Sequence, residues 1–145
     1  MMFRALTPQD WGLVDEHIGV KQTADTRGIV AVREDKIVAI CVFNYWSYSS
    51  VQAHFWIGDK FVIRHGFLHE VANYVFNTCG KELMVGVVPA DNDKALKMDK
   101  HIGFRETHRI KNGYKIGVDF VLLEATREDL SRWLEEVPHG YQKCA

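Results

Sequence analysis

Apolar residues come in short, valine-rich runs divided by turn residues, and between the runs lie stripes at helical spacing. The clearest run is Leu83 to Val88, broken only by Gly86, which predicts a strand buried on both faces. Pro89 ends it, since proline offers no N–H to a ladder. Asp91 or Asn92 then caps a helix whose Ala95, Met98, Asp99 and Ile102 share one face. Gly103 stops that helix, and Phe104 opens the next strand. Upstream, 28–34 and 36–43 are two β-rich runs separated by Asp35, a hairpin pattern. Residues 51–58 form a third strand. Leu68, Val71, Ala72, Val75, Phe76 and Cys79 then mark a long helical stripe, predicted to run from His65 or Gly66 to Gly80.

The ends of the chain follow the same grammar. Phe3 to Leu6 is an apolar opening with edge-strand character. Thr7-Pro8-Gln9-Asp10 places a cap, a first-turn proline and a first-turn acid before a helix carrying Trp11, Val14 and Ile18. Segment 20–27 fits a short helix or a loop. Residues 104–111 and 114–125 flank Asn112-Gly113, a strong turn signal. Thr126 and Asp129 frame the start of a last helix with Leu130, Trp133 and Leu134, and 137–145 reads as a tail. The predicted fold class is α/β (α+β), with antiparallel strands first and one parallel crossover through the long helix.

Composition narrows the setting. The chain has 145 residues, enough for one domain with an ordinary core, placed at 1–136. A net charge of −1 gives no global pull toward nucleic acid or an anionic membrane, and no run reaches membrane-spanning length. Cys41, Cys79 and Cys144 are three cysteines without framework spacing, which predicts reduced thiols and a cytoplasmic protein.

The order of elements, together with four local motifs, resembles the GNAT superfamily of acyl-CoA-dependent N-acyltransferases over nearly the whole chain. Asn92, Ala95, Gly103 and Phe104 stand in register with the family's N-x-x-A-x-x-x-Y-x-x-x-G-F segment. Thr7-Pro8-Gln9-Asp10 is similar to the opening of many members. Gly103-Phe104-Arg105-Glu106 with Asn112-Gly113 and Val118-Asp119-Phe120 resembles their C-terminal hairpin, and Arg127-Glu128-Asp129 resembles the approach to their last helix. The resemblance implies a mixed, mostly antiparallel central sheet of six to seven strands with helices on both faces. It also implies a splay between strands 51–58 and 83–88 that admits a thioester, with acetyl-CoA as cosubstrate and no metal. The acceptor would be a small-molecule or protein amine, and a homodimer through the C-terminal strands would suit the family.

Candidate residues follow from the resemblance and from elementary chemistry. The pyrophosphate loop of the family corresponds to Ile63, Arg64, His65, Gly66, Phe67 and Leu68, where one glycine and one arginine stand outside the usual spacing. A helix N-terminus, a glycine and an arginine are still the parts an anion needs. His54 is the only side chain on its strand that titrates near neutral pH, which makes it the candidate base. Asp99 occupies the position of the family's acid tyrosine and could donate a proton only with a raised pKa. A bland reading stands beside each: a hydrogen-bonded structural histidine, and an aspartate paired with a nearby lysine.

Further candidates carry less. His65, His69 and Glu70 have a helical metal-like spacing without a third ligand position. Tyr45, Trp46 and Tyr48 could wall an acceptor site. Lys94, Lys97 and Lys100 read as a solvated helix face, with Asp93 and Lys97 an i, i+4 pair. Two functions remain open at this level: an N-acetyltransferase, or a GNAT-fold binding or structural protein without catalysis, such as phages encode.

Overall fold

The computed structural model describes residues 1–134 and Cys144. The strands are β1 (Met2–Ala5), β2 (Arg27–Arg33), β3 (Lys36–Asn44), β4 (Ser50–Ile57), β5 (Leu83–Pro89), β6 (Arg105–Lys115) and β7 (Val118–Thr126). They form one seven-stranded sheet in the order β1-β2-β3-β4-β5-β7-β6. Every neighbouring pair is antiparallel except β4 and β5. The helices are α1 (Trp11–His17), α2 (Phe61–Arg64), α3 (Phe67–Ala72) and α4 (Asp93–Ile102). This is the expected mixed, mostly antiparallel sheet with helices on both faces.

Strand alternation divides the core into two layers. On β2 and β3, Ile29, Ala31, Ala39, Cys41 and Phe43 join the large cluster formed with α3 and β5. Val30, Ile40 and Val42 point the other way, onto Val14 of α1. The β2–β3 turn is Glu34-Asp35, both left-handed at φ 51 and 63, which closes a two-residue hairpin between Arg33 and Lys36. The 3₁₀ turn Pro8–Asp10 leads into α1. Its Asp10 carboxylate accepts the Thr7 N–H at 2.8 Å and the Arg4 guanidinium at 2.7 Å. That guanidinium, more than the Thr7 bonds, holds Asp10 below its ordinary pKa. Segment 18–26 is a loop.

Several expectations change. The long helix does start at Gly66, whose φ of 103 N-caps α3, but it is preceded by a separate single turn, α2, that was not expected. After Ala72 the helix widens into a π turn, Asn73–Thr78, where the Cys79 N–H reaches back five residues to the Tyr74 carbonyl at 2.8 Å. The buried Asn73 side chain sits in this turn and donates to the carbonyls of His69 and Trp133. The C-terminal hairpin turns at Ile116-Gly117, not at Asn112-Gly113. Asn112 is left-handed, but its side chain accepts the Gly117 N–H and its own N–H donates to Asp119. Asn-Gly therefore forms an irregularity inside β6.

Two further corrections concern the C-terminal region. Thr126 and Asp129 do exchange the capping bonds, yet the described chain continues only as a 3₁₀ turn, Ser131–Trp133, in place of the expected helix. Cys79 and Cys144 are joined in a disulfide with Cα atoms 5.6 Å apart, so reduced thiols hold for Cys41 alone. Apart from Cys144, the expected tail 137–145 and the expected domain end at 136 lie outside the described residues. Among the described residues, no helix is long and apolar enough to cross a membrane.

Candidate active site

The site begins where β4 and β5 part. Parallel pairing covers only Ser50–Gln52 against Leu83–Val85. Beyond Gln52, β4 still pairs with β3 as far as Ile57, while β5 pairs with β7 through Pro89. Among the described residues, the edge of β4 from Ala53 onward thus has no strand partner on its β5 side, and its backbone groups face a gap. Cavities open on both sides of this splay. The opening also explains why β5 is not buried on both faces. Met84, Gly86 and Val88 are buried, whereas Leu83, Val85 and Val87 are half-buried, and Val87 lines one of the cavities.

On one side lies a cleft of about 470 Å³ between α2 and α4, lined by Lys60, Ile63, Arg64, Lys94, Lys97, Met98 and His101. Four of these carry a positive charge at neutral pH, so the cleft suits a polyanion. Lys94 and Lys97 are exposed, as expected of a solvated face, and from the first two turns of α4 they also border this cleft. Among the described residues, Asp93 and Lys97 form no ion pair. Lys100, on another face, meets Glu106 at 3.4 Å.

The six loop candidates divide. Ile63 and Arg64 line the cleft. His65 is exposed and packs its ring on Phe61 with centroids 3.8 Å apart. Gly66 caps α3 in its left-handed conformation, close under the Phe3 ring. Phe67 and Leu68 are core residues, so any contribution they make to an anion comes from their backbone. His69 meets Trp133 edge-on at 5.7 Å, and the described residues hold no group of three metal ligands.

A smaller cavity of about 190 Å³ adjoins the cleft and shares Lys94 and Met98 with it. Asp99 lines it, together with Asn92, Ala95, Phe55, Trp56 and His17. Asn92 is the N-cap of α4; its Oδ1 accepts the Ala95 N–H at 3.2 Å. Asp99 is 7% exposed, and among the described residues no hydrogen bond or ion pair engages its carboxyl. A side chain at Gly86 would meet Asp99 Oδ2 at 3.4 Å, so glycine lets α4 sit close on β5 here. Burial alone raises the Asp99 pKa to about 7. Among the described residues, Asp99 pairs with no lysine. His17 was not anticipated; it reaches this cavity from α1 by stacking on Trp56 at 3.9 Å, a contact between distant segments.

On the other side of the splay is a cavity of about 630 Å³, walled by loop 18–26, Asn44, Tyr45, Gln52, His54, Val87 and Phe120. His54 Nε2 lies 2.8 Å from Asn44 Oδ1. A carbonyl oxygen accepts, so Nε2 carries the hydrogen and Nδ1 keeps its lone pair. Burial lowers the His54 pKa to about 4, leaving the ring neutral at neutral pH. His54 and Asp99 therefore line different cavities, one on each side of the β4–β5 gap. Of the aromatic stretch, Tyr45 lines the His54 cavity, Trp46 packs against Phe43 and Tyr74, and Tyr48 is exposed.

No protein-family model matches the chain, and no curated protein sequence matches it. Solved structures do. A spermidine/spermine N-acetyltransferase from Vibrio cholerae, SpeG, aligns with a TM-score of 0.72 and 13% identity, covering 90% of this chain and 95% of that one. The protein smu.2055 of Streptococcus mutans aligns at 0.69 and 16%, covering 87% and 99%. An acetyltransferase assigned to the GNAT family from Desulfovibrio desulfuricans aligns at 0.65 and 16%, covering 86% and 98%. At such identities the likeness is one of architecture: this chain has the GNAT acetyltransferase fold.

Proposed function

We propose that the protein is an acetyl-CoA-dependent N-acetyltransferase that modifies a primary amine by direct attack within a ternary complex. One observation carries the reading: the β4–β5 splay has a cationic cleft on one side and, on the other, a cavity lined by a neutral histidine. The donor set fits the cosubstrate. Lys60, Arg64, Lys94 and Lys97 suit its phosphates, with the backbone at Gly66, Phe67 and Leu68 available to the pyrophosphate. Asn92, Met98 and Ala95 lie where the arm would run toward the splay. When bound, acetyl-CoA supplies an acyl thioester.

The chain's own residues supply the proton transfers. His54 Nδ1 takes the proton the amine loses as its nitrogen bonds to the acyl carbon. The unpaired edge of β4 offers backbone N–H groups for the charge that develops on the acyl oxygen. Asp99, protonated below about pH 7, holds a proton for the sulfur released when the carbon–sulfur bond breaks. A cytoplasmic setting, where acetyl-CoA is made and used, goes with this reading.

Calorimetric titration with acetyl-CoA is the direct test. Binding in the micromolar range is expected, and none at high micromolar cosubstrate would defeat the proposal. A stable protein complex formed without any cosubstrate affinity would instead mark a non-catalytic binding module.

A further inference from the structure

The cavity that holds His54 also selects among amines, an inference that rests on the acetyltransferase reading. Its inner wall, made by Asn44, Gln52, His54, Val87 and Phe120, carries no ionised side chain, because His54 is neutral and Asn44 is tied to it. The charges in its described lining are one lysine, Lys21, and one aspartate, Asp25, both exposed on loop 18–26. Asp25 accepts the Thr23 hydroxyl at 2.5 Å and keeps its charge, but it belongs to the exposed loop and not to the inner wall beside His54. A polyamine placing one nitrogen at His54 would bring further ammonium groups against amides and apolar side chains. Burying an unpaired cation in such surroundings is costly.

The remaining surface is apolar and aromatic. Tyr45 stands 72% exposed on this cavity with a left-handed backbone, φ 50. An aromatic residue in that region is strained, and an exposed ring recovers little of that cost by packing within the fold. Its placement makes sense as a contact for whatever enters. Phe120, braced edge-on by Tyr114 at 5.7 Å, lines the same cavity from β7. Gln52 is half-buried in the same lining, two residues before His54 on β4 and opposite Asn44, and its amide has no hydrogen-bonding partner among the described residues.

We propose that the acceptor is a monoamine with an uncharged body that packs on Tyr45 and Phe120, and that an inner wall offering the neutral amide of Gln52 in place of a carboxylate disfavours polycations. Full-chain protein saturated with acetyl-CoA is assayed with 2-phenylethylamine, phenylalanine and spermidine. The kcat/KM for 2-phenylethylamine is expected to exceed the other two by roughly tenfold or more. Gln52→Glu should shift the ratio toward spermidine by about tenfold, and Tyr45→Ala should raise KM for 2-phenylethylamine more than it lowers kcat. Equal or better use of spermidine or phenylalanine by the unaltered protein overturns the proposal, as does a ratio that Gln52→Glu leaves unmoved. If acetyl-CoA fails to bind, the acetyltransferase reading falls by itself, and the cavity is read by NMR titration with the same amines. Shifts at Tyr45 and His54 with 2-phenylethylamine but not spermidine then support the selection; their absence, or the reverse order, overturns it.

Discussion

His54 and Asp99 face the same gap from opposite sides, and burial acts on both, with opposite results. The imidazole loses proton affinity and falls to about 4, while the carboxyl gains it and rises to about 7. Both are thereby neutral over the interval between, one able to take a proton and the other able to give one. They differ in anchoring. His54 is held by Asn44 at 2.8 Å, but the Asp99 carboxyl has no hydrogen-bonding partner among the described residues and lies against Gly86 and a small cavity. A group whose orientation is fixed suits abstraction from a mobile amine. A buried carboxyl that keeps its proton suits delivery to an atom that leaves as an anion. The contrast predicts how each side responds when altered.

The largest effect is expected on the base side. His54→Gln should lower kcat/KM by on the order of a hundredfold to ten-thousandfold while leaving the acetyl-CoA Kd unchanged, as seen by pre-steady-state rates and calorimetry. A cosubstrate affinity that fell together with the rate would mean the two sides are not separate.

Asp99→Asn comes next and tests the acid side by pH. With the carboxyl needed in its protonated form, kcat for the unaltered protein should fall as pH rises through about 7. The variant should lose that limb and run about tenfold slower at neutral pH. Stability supplies an independent readout. The folded pKa lies above the ordinary 3.8, so folding favours the protonated form; its stabilisation is complete below the unfolded value and lost as pH rises through about 7. Asp99→Asn should therefore be the more stable protein above neutral pH, by up to a few kcal/mol in chemical denaturation, with little difference at pH 4. No difference in either profile would return Asp99 to a packing role.

Arg64→Ala and Lys97→Ala should each weaken acetyl-CoA binding by about tenfold, and the loss should shrink in high salt because partly exposed charges are screened. Neither should move the acceptor preference, since neither lines the His54 cavity.

What could be read from the chain beforehand follows the range of the interactions involved. The cap, left between Asp91 and Asn92, falls on Asn92, and the stop at Gly103 is as expected; both are local, and so is the α4 stripe, although its buried face takes in Leu96 with Asp99 and Ile102 and leaves Ala95 and Met98 half-buried. The β2–β3 hairpin was legible for the same reason, although the turn takes in Glu34 as well as Asp35. Candidates on β4 and α4 could be named by residue type. Which cavity each would face could not, because the splay depends on where pairing between two distant strands stops. Lys94 and Lys97 have an ordinary solvated spacing, and only the position of α2 makes them a cleft with Lys60 and Arg64. The Asn112-Gly113 turn failed because Asp119, seven residues on, takes the Asn112 N–H and moves the reversal to Gly117. His17 on Trp56 and Cys79 on Cys144 are contacts across long separations that no local pattern signals.

The smallest expected effect on rate, and the sharpest on the comparison, comes from Asn44→Asp. The amide that now anchors His54 holds it without charge, so desolvation alone sets its low pKa. A carboxylate at the same place would keep the anchor and add a negative charge beside the ring, favouring the imidazolium. The acid limb of kcat/KM, expected near 4 in the unaltered protein, should move up toward or past neutral pH. The plateau rate well above it should change only a few-fold, because the anchor is kept. The stability profile should shift in step. A lowered histidine pKa contributes stability above the unfolded value of 6.5 that is lost as pH falls through about 4, and Asn44→Asp should abolish that loss. If the stability curve moved but the acid limb of the rate stayed near 4, the ring would be titrating without being the base. The proton would then have to leave the amine by another route, and the two sides of the gap would no longer form a matched pair.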